Sequence, residues 1–161
     1  MIPVAVLTVS DSAIAGTRPD RSGPAVKQRL EELGYQVALV GLVPDERPQI
    51  AAKLISIAAS REVSVIFTTG GTGIALRDVT PEATRDVIDR EIPGIGEVMR
   101  YEGRQKVPTA PLSRALAGNR GSVLIVNLPG SPKGAIESLD AIVNLVPHMA
   151  DLLQGKTEHK S

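Results

Sequence analysis

Val63-Ser64-Val65-Ile66-Phe67-Thr68-Thr69-Gly70-Gly71-Thr72-Gly73 decides the reading of this chain. The first part, residues 63–69, is strongly apolar and reads as a buried strand. Gly70, Gly71 and Gly73 follow at once. They let the backbone turn tightly and bring its N–H groups close to a ligand, above all to phosphate oxygens. A strand without polar alternation that runs straight into such a turn belongs to a parallel sheet covered on both faces.

Working outward, the same alternation of apolar strand and helix repeats. Toward the N-terminus, Pro3–Val9 and Gln36–Val43 read as strands and 23–33 as a helix in which Val26, Leu30 and Leu33 share a face. Pro44-Asp45-Glu46 is a turn, and the next helix carries Pro48 in its first turn and the stripe Ile50, Leu54, Ile57, Ala58. Toward the C-terminus, Thr80-Pro81 opens a helix through about 89, with Thr80 as its cap. Residues 93–106 read as a helix, and 108–121 as a loop with one short helix at 113–117. Residues 122–127 form a fourth buried strand, and Ser131-Pro132 starts a long terminal helix that Pro147 kinks or restarts and Gly155 ends. The expected fold is α/β in three layers, a mostly parallel sheet with helices on both faces. One domain at 1–155 and a flexible tail at 156–161 are expected.

The composition agrees with a globular domain. The chain has 161 residues, 42% hydrophobic and 22% charged. Lys plus Arg and Asp plus Glu are 18 each, and no basic run appears, so nothing points to nucleic acid or an anionic membrane. Only Tyr35, Phe67 and Tyr101 are aromatic, too few for a stacking platform for single strands. There is no cysteine, which excludes disulfides, thiolate metal sites and a thiol nucleophile and fits a cytoplasmic protein. The apolar start, Met1 to Val9, lacks a basic lead-in and reads as a strand rather than a leader, and no apolar segment is long enough to span a membrane.

Sheets of this kind bind ligands beyond the carboxyl ends of their strands. That rule selects the loops after Val9, at 44–46, at 69–80 and at 127–133. The glycine loop is not a P-loop, since no Gly-Lys-Ser/Thr follows, and Leu76 stands where a dinucleotide fingerprint has its third glycine. It is either a phosphate cradle or a plain glycine turn. Asp45 and Asp78 come from two of these loops; a pair of carboxylates meeting there would hold Mg²⁺, whereas singly each would cap a turn or helix. Ser10-Asp11-Ser12 could touch a ligand or make a local turn. Asn127-Leu128-Pro129-Gly130-Ser131-Pro132-Lys133 places a helix N-terminus and a cation where an anion could sit. Arg114 could fork to a phosphate or serve as a surface residue. His148 and His159 form neither a triad with Ser and an acid nor a metal-binding pair.

Together these loops resemble one family. Thr68 to Gly73 with Arg77-Asp78-Val79-Thr80-Pro81-Glu82-Ala83 looks like the signature of the MogA and MoaB proteins of molybdenum-cofactor biosynthesis. Leu112-Ser113-Arg114 and the 127–133 segment are similar to later motifs of the gephyrin and plant Cnx G domains. The resemblance implies adenylylation of molybdopterin by Mg-ATP, with release of pyrophosphate. It implies Asp45 and Asp78 as catalytic metal ligands, and Gly70, Gly71, Thr72, Gly73, Gly130 and Ser131 around phosphate. It implies Ser10, Asp11, Ser113 and Asn127 around molybdopterin. It also implies a homotrimer that hands its product to a MoeA-type molybdenum insertase. The alternative is a non-catalytic, molybdopterin-binding MoaB-type or scaffolding protein, which would bind pterin without Mg²⁺-dependent ATP binding.

Overall fold

The computed structural model describes residues 1–157. Its elements run β1 (Pro3–Val9), α1 (Asp11–Ala15), α2 (Ser22–Glu32), β2 (Gln36–Val43), α3 (Arg47–Ala59), β3 (Val65–Thr69), α4 (Thr80–Val87), β4 (Arg90–Glu91), α5 (Pro93–Arg104), β5 (Ala117–Arg120), β6 (Val123–Leu128), α6 (Pro132–Ile142) and α7 (Val146–Leu153).

Burial sorts the strands. Every residue of β3 and β6, and of β1 after Pro3, is buried, so these strands are central and covered on both faces. In β2 the exposure alternates until Val43, as expected of an edge. The sheet order is β2-β1-β3-β6-β5-β4. β1 pairs in parallel with β2 and β3, and β3 with β6. Successive side chains then enter opposite layers. Val4, Val6, Phe67 and Val126 pack with Leu30, Met99 and Leu139 from α2, α5 and α6. Ala5, Leu7, Ile66 and Ile125 pack with Leu54 and Ala83 from α3 and α4. The result is the expected three-layer α/β sandwich. Among the described residues no helix is long and apolar enough to cross a membrane.

The register sets the site. Thr8 lies beside Thr69, and Thr69 beside Leu128, so the loops after β1, β3 and β6 leave the sheet at one level. Val9 also lies beside Val43, which brings the loop after β2 to the same edge.

Several expectations change. Residues 108–121 hold no helix at 113–117; a short 3-10 turn occupies Ala110–Leu112, and β5 follows. β5 pairs antiparallel with β6, and β4 with β5. Its sequence, Ala-Gly-Asn-Arg, has poor strand propensity, so only tertiary pairing makes it a strand. The helix from Thr80 ends at Val87, before 89, because Ile88 is extended and leads into β4. Thr80 is not its cap; Val79 holds that position and Thr80 is its first helical residue. The terminal helix is interrupted at Val143–Leu145, and α7 restarts with Pro147 in its first turn, where no amide donor is needed. α1 is an additional short helix capped by Ser10, whose hydroxyl accepts from Ala13 N. In the segment expected as a tail, Lys156 N donates to Asp151 O at 2.9 Å. Residues 158–161, with His159, lie outside the described residues.

Candidate active site

Two pockets open at the carboxyl edge of the sheet, one on each side of Gly130. The larger, about 730 Å³, is lined by Ser10, Asp11, Asp45, Gly70, Gly71 and Asp78, with Arg18, Asp20 and Arg21 on a further wall. The smaller, about 440 Å³, is lined by Thr72, Gly73, Ser113, Ser131 and Lys133, with Met99, Arg100, Gly103 and Val107 closing its apolar side. Gly130 belongs to both. The site residues expected from sequence therefore divide. Asp45 and Asp78 do meet in one pocket, together with Ser10 and Asp11, whereas Ser113 faces the other.

The shared wall depends on glycine. Gly70 has φ 104°, and a Cβ there would collide with the carbonyl oxygen of Val9. Gly71 has φ 70°, and its Cβ would strike the Thr80 hydroxyl. Both positions exclude other residues on conformation and on space. Thr80 Oγ1 donates to Gly70 O at 2.9 Å and Thr80 N to Gly71 O at 3.1 Å, which locks the turn to α4. Thr69 Oγ1 donates to Pro129 O at 2.7 Å, joining this loop to the one after β6. The backbone N–H groups of Gly71, Thr72 and Gly73 have no hydrogen-bond partner among the described residues. Such donors at a strand end are suited to an anion.

The carboxylates are arranged unequally. Arg77 Nε donates to Asp11 Oδ2 at 2.6 Å, and its Nη2 to Glu46 Oε1 at 2.9 Å. The hydrogen bond from Arg77, and a backbone donor from Asp45, hold the Asp11 carboxyl below its ordinary range. Burial pushes the Asp45 carboxyl up, and the neighbouring charges of Asp11 and Asp78 add to that. Asp78 Oδ2 accepts from Ala75 N at 3.0 Å. Among the described residues no three His, Cys, Asp or Glu are grouped to hold a metal by themselves.

Arg114 does not reach for a ligand. Its Nη1 meets both oxygens of Glu82 at 2.8 and 2.7 Å, its Nε donates to Gly73 O and its Nη2 to Asp78 O. Its own amide donates to Thr72 O at 2.7 Å. Of the two readings left open by the sequence, a fork to phosphate or a surface residue, the structure shows neither alone: the guanidinium braces the wall between the pockets to α4.

Asn127, expected beside molybdopterin, lies behind the site. It lines neither pocket and is fully buried. Its Nδ2 donates to the hydroxyls of Thr68 and Thr84 at 3.0 Å each, and its Oδ1 accepts from Leu116 N. It supports the sheet behind the site. The sequence reading also missed Arg18, Asp20 and Arg21. They follow the loop after β1 by a full helix, α1, so the strand-end rule stopped short of them. The α5 residues were missed because nothing local marks a helix face as a pocket wall.

Residues 5–148 match the family described as "Probable molybdopterin binding domain". The chain is 44% identical to the molybdopterin adenylyltransferase of Helicobacter pylori strain J99, over 96% of this chain and 89% of that one. It is 38% identical to the molybdopterin adenylyltransferase of Escherichia coli K12, over 94% and 85%. The crystal structure of the molybdopterin biosynthesis enzyme MoaB from Thermus thermophilus superposes with a TM-score of 0.90 at 49% identity, covering 97% of this chain and 98% of that one. By both sequence and fold, this chain belongs to the molybdopterin-binding domain family of molybdenum-cofactor biosynthesis.

Proposed function

We propose that this chain is a cytoplasmic molybdopterin adenylyltransferase that uses ATP and Mg²⁺ and releases pyrophosphate. One observation carries the reading. Asp45 and Asp78 share a pocket with Gly70 and Gly71, and that pocket meets a second, more apolar one across Gly130. The near full-length relatives named as adenylyltransferases support it. The smaller pocket suits the pterin, and the carboxylate pocket the nucleotide phosphates. The substrate phosphates then face each other at the common wall.

The reaction joins a terminal phosphate oxygen of molybdopterin to the α-phosphorus of ATP. A P–O bond forms as the bond to the bridging oxygen breaks, and pyrophosphate departs. The attacking oxygen is already anionic at neutral pH, so no strong general base is required, and the lack of a poised His or Cys is no obstacle. Repulsion between anions is the main barrier. The chain meets it with the backbone donors of the glycine loop and with fixed placement of the two phosphates. The donor set fits Mg²⁺: oxygen-only ligands from Asp45 and Asp78, with phosphates able to complete the shell. Burial first, and then the charges of Asp11 and Asp78, push the Asp45 carboxyl up, and a cation beside it would favour the charged form. When bound, Mg²⁺ supplies charge neutralisation to the phosphates. The homotrimer and hand-over to a MoeA-type insertase belong to the same reading and rest on the family resemblance.

The test is to incubate the purified protein with molybdopterin, ATP and Mg²⁺ and to look for adenylylated molybdopterin by mass, with Asp78→Asn and a chelator control alongside. Product from the native chain alone supports the enzyme. Molybdopterin binding without any product defeats it.

A further inference from the structure

Two arginines bonded to the loops around the carboxylate pocket do not line it and are already committed. Arg77 is held by Asp11 and Glu46. Arg114 is held by Glu82 and two carbonyl groups. Arg18 and Arg21 are different. Both line the pocket, both are exposed, and neither side chain has a hydrogen-bond or ion-pair partner among the described residues. A pocket that also contains Asp11, Asp20, Asp45 and Asp78 would repel a polyphosphate unless cations answer it.

The loop that carries these arginines is well anchored. Gly16 closes α1 with φ 74°, and the amides of Thr17 and Arg18 both donate to Ser12 O. Pro19 restricts the next step of backbone. Asp20 Oδ1 then accepts from Gly23 N at 3.0 Å, which ties the loop to α2. Arg21 sits at the N-cap position of α2 but makes no capping bond with its side chain. Its side chain is therefore dispensable to the helix. The anchored backbone holds two uncommitted guanidinium groups beside the pocket that holds Asp45 and Asp78.

We propose that Arg18 and Arg21 form the subsite for the β- and γ-phosphates of the nucleotide, and so for the departing pyrophosphate. This rests on the adenylyltransferase reading above and assigns its leaving group. When the α-phosphorus takes the new oxygen, the electron pair of the broken P–O bond passes to the pyrophosphate, and charge grows on its oxygens. Planar guanidinium groups match such oxygens in pairs. The subsite predicts that the pocket distinguishes a nucleoside triphosphate from a monophosphate through this loop.

The experiment is titration calorimetry of the full chain and of an Arg18→Gln/Arg21→Gln double variant with Mg-ATP, AMP and Mg-pyrophosphate. The variant should melt as the native chain does, because neither side chain has a partner to lose. ATP and pyrophosphate should bind about tenfold more weakly to the variant. AMP affinity should stay within about twofold, a change close to zero free energy. Equal weakening of ATP and AMP, unchanged pyrophosphate binding, or a native chain that binds neither ATP nor pyrophosphate would each overturn the subsite. The two readings separate cleanly. A native chain that binds pyrophosphate through these arginines yet makes no adenylylated product loses the enzyme reading and keeps the subsite. A productive enzyme whose variant holds ATP and pyrophosphate unchanged keeps the reading and loses the subsite.

Discussion

Asp11 and Asp45 exchange hydrogen bonds: Asp11 N donates to Asp45 Oδ2, and Asp45 N to Asp11 Oδ1, each at 2.9 Å. This reciprocal pair stitches the loop after β1 to the loop after β2. It also forces two like charges together, and the structure resolves the conflict in one direction only. Arg77 pairs directly with Asp11, whereas Asp45 is half-buried, and its burial outweighs the backbone donor from Asp11 and the more distant charge of Arg77.

Asp45→Asn should therefore stabilise the fold while abolishing turnover. The amide oxygen can still accept from Asp11 N, but burial no longer opposes a charge. A carboxyl raised above its ordinary 3.8 destabilises the folded state once the pH exceeds that value. The variant should melt about 2 °C higher at neutral pH, and the gain should shrink as the pH falls through the carboxylate range. Thermal melts across pH check this, and a lower melting temperature at neutral pH refutes it.

Asp11→Asn should act with the opposite sign. The Asp11 carboxyl lies below 3.8, so its contribution is present above that pH and is lost as the pH falls through the depressed value. The variant should be modestly less stable at neutral pH and equal to the native chain in strong acid. The same melts decide it. A constant difference down to the lowest pH would mean that the Arg77 pairing is not the cause.

Arg114→Lys keeps the charge and loses the fork. Lysine cannot hold Glu82, Gly73 O and Asp78 O at once, so the loss should be about 2 kcal/mol in denaturant unfolding. Because Asp78 is braced through its backbone, kcat should fall while KM for ATP changes little. A rise confined to KM would place Arg114 against substrate instead.

Gly70→Ala should cost more than Gly34→Ala. Both residues have positive φ, 104° and 89°, but only Gly70 faces a backbone carbonyl, while space is open at Gly34. The Gly34 variant should lose about 1 kcal/mol, the conformational term alone. The Gly70 variant should lose roughly 3 kcal/mol, since backbone must also move. Equal losses would show that the loop after β1 yields freely.

Asn127→Ala tests its assignment as support. It leaves Leu116 N and two threonine hydroxyls short of a partner in the core, a cost of about 3 kcal/mol. Molybdopterin affinity per folded molecule should persist. If stability is kept and affinity is lost, Asn127 touches the ligand after all.

Much of this was written in local sequence. The continuous apolar runs at β1, β3 and β6 announce buried parallel strands, because alternation disappears only when both faces are covered. Gly70 and Gly71 announce a turn that no other residue can make, and Asp45 and Asp78 fall in strand-end loops by spacing alone. The antiparallel edge was not legible. Ala117–Arg120 and Arg90–Glu91 have no strand signal of their own and become strands only by pairing with β6 and with each other. Nor could sequence assign partners. That Arg114 braces Glu82, that Asn127 turns into the core, and that Arg18 and Arg21 return to the carboxylate pocket after α1 depend on which elements pack side by side. Local propensity and pattern act over a few residues, whereas hydrogen-bond partners and pocket walls here are separated by tens of residues and meet only through the register of the sheet.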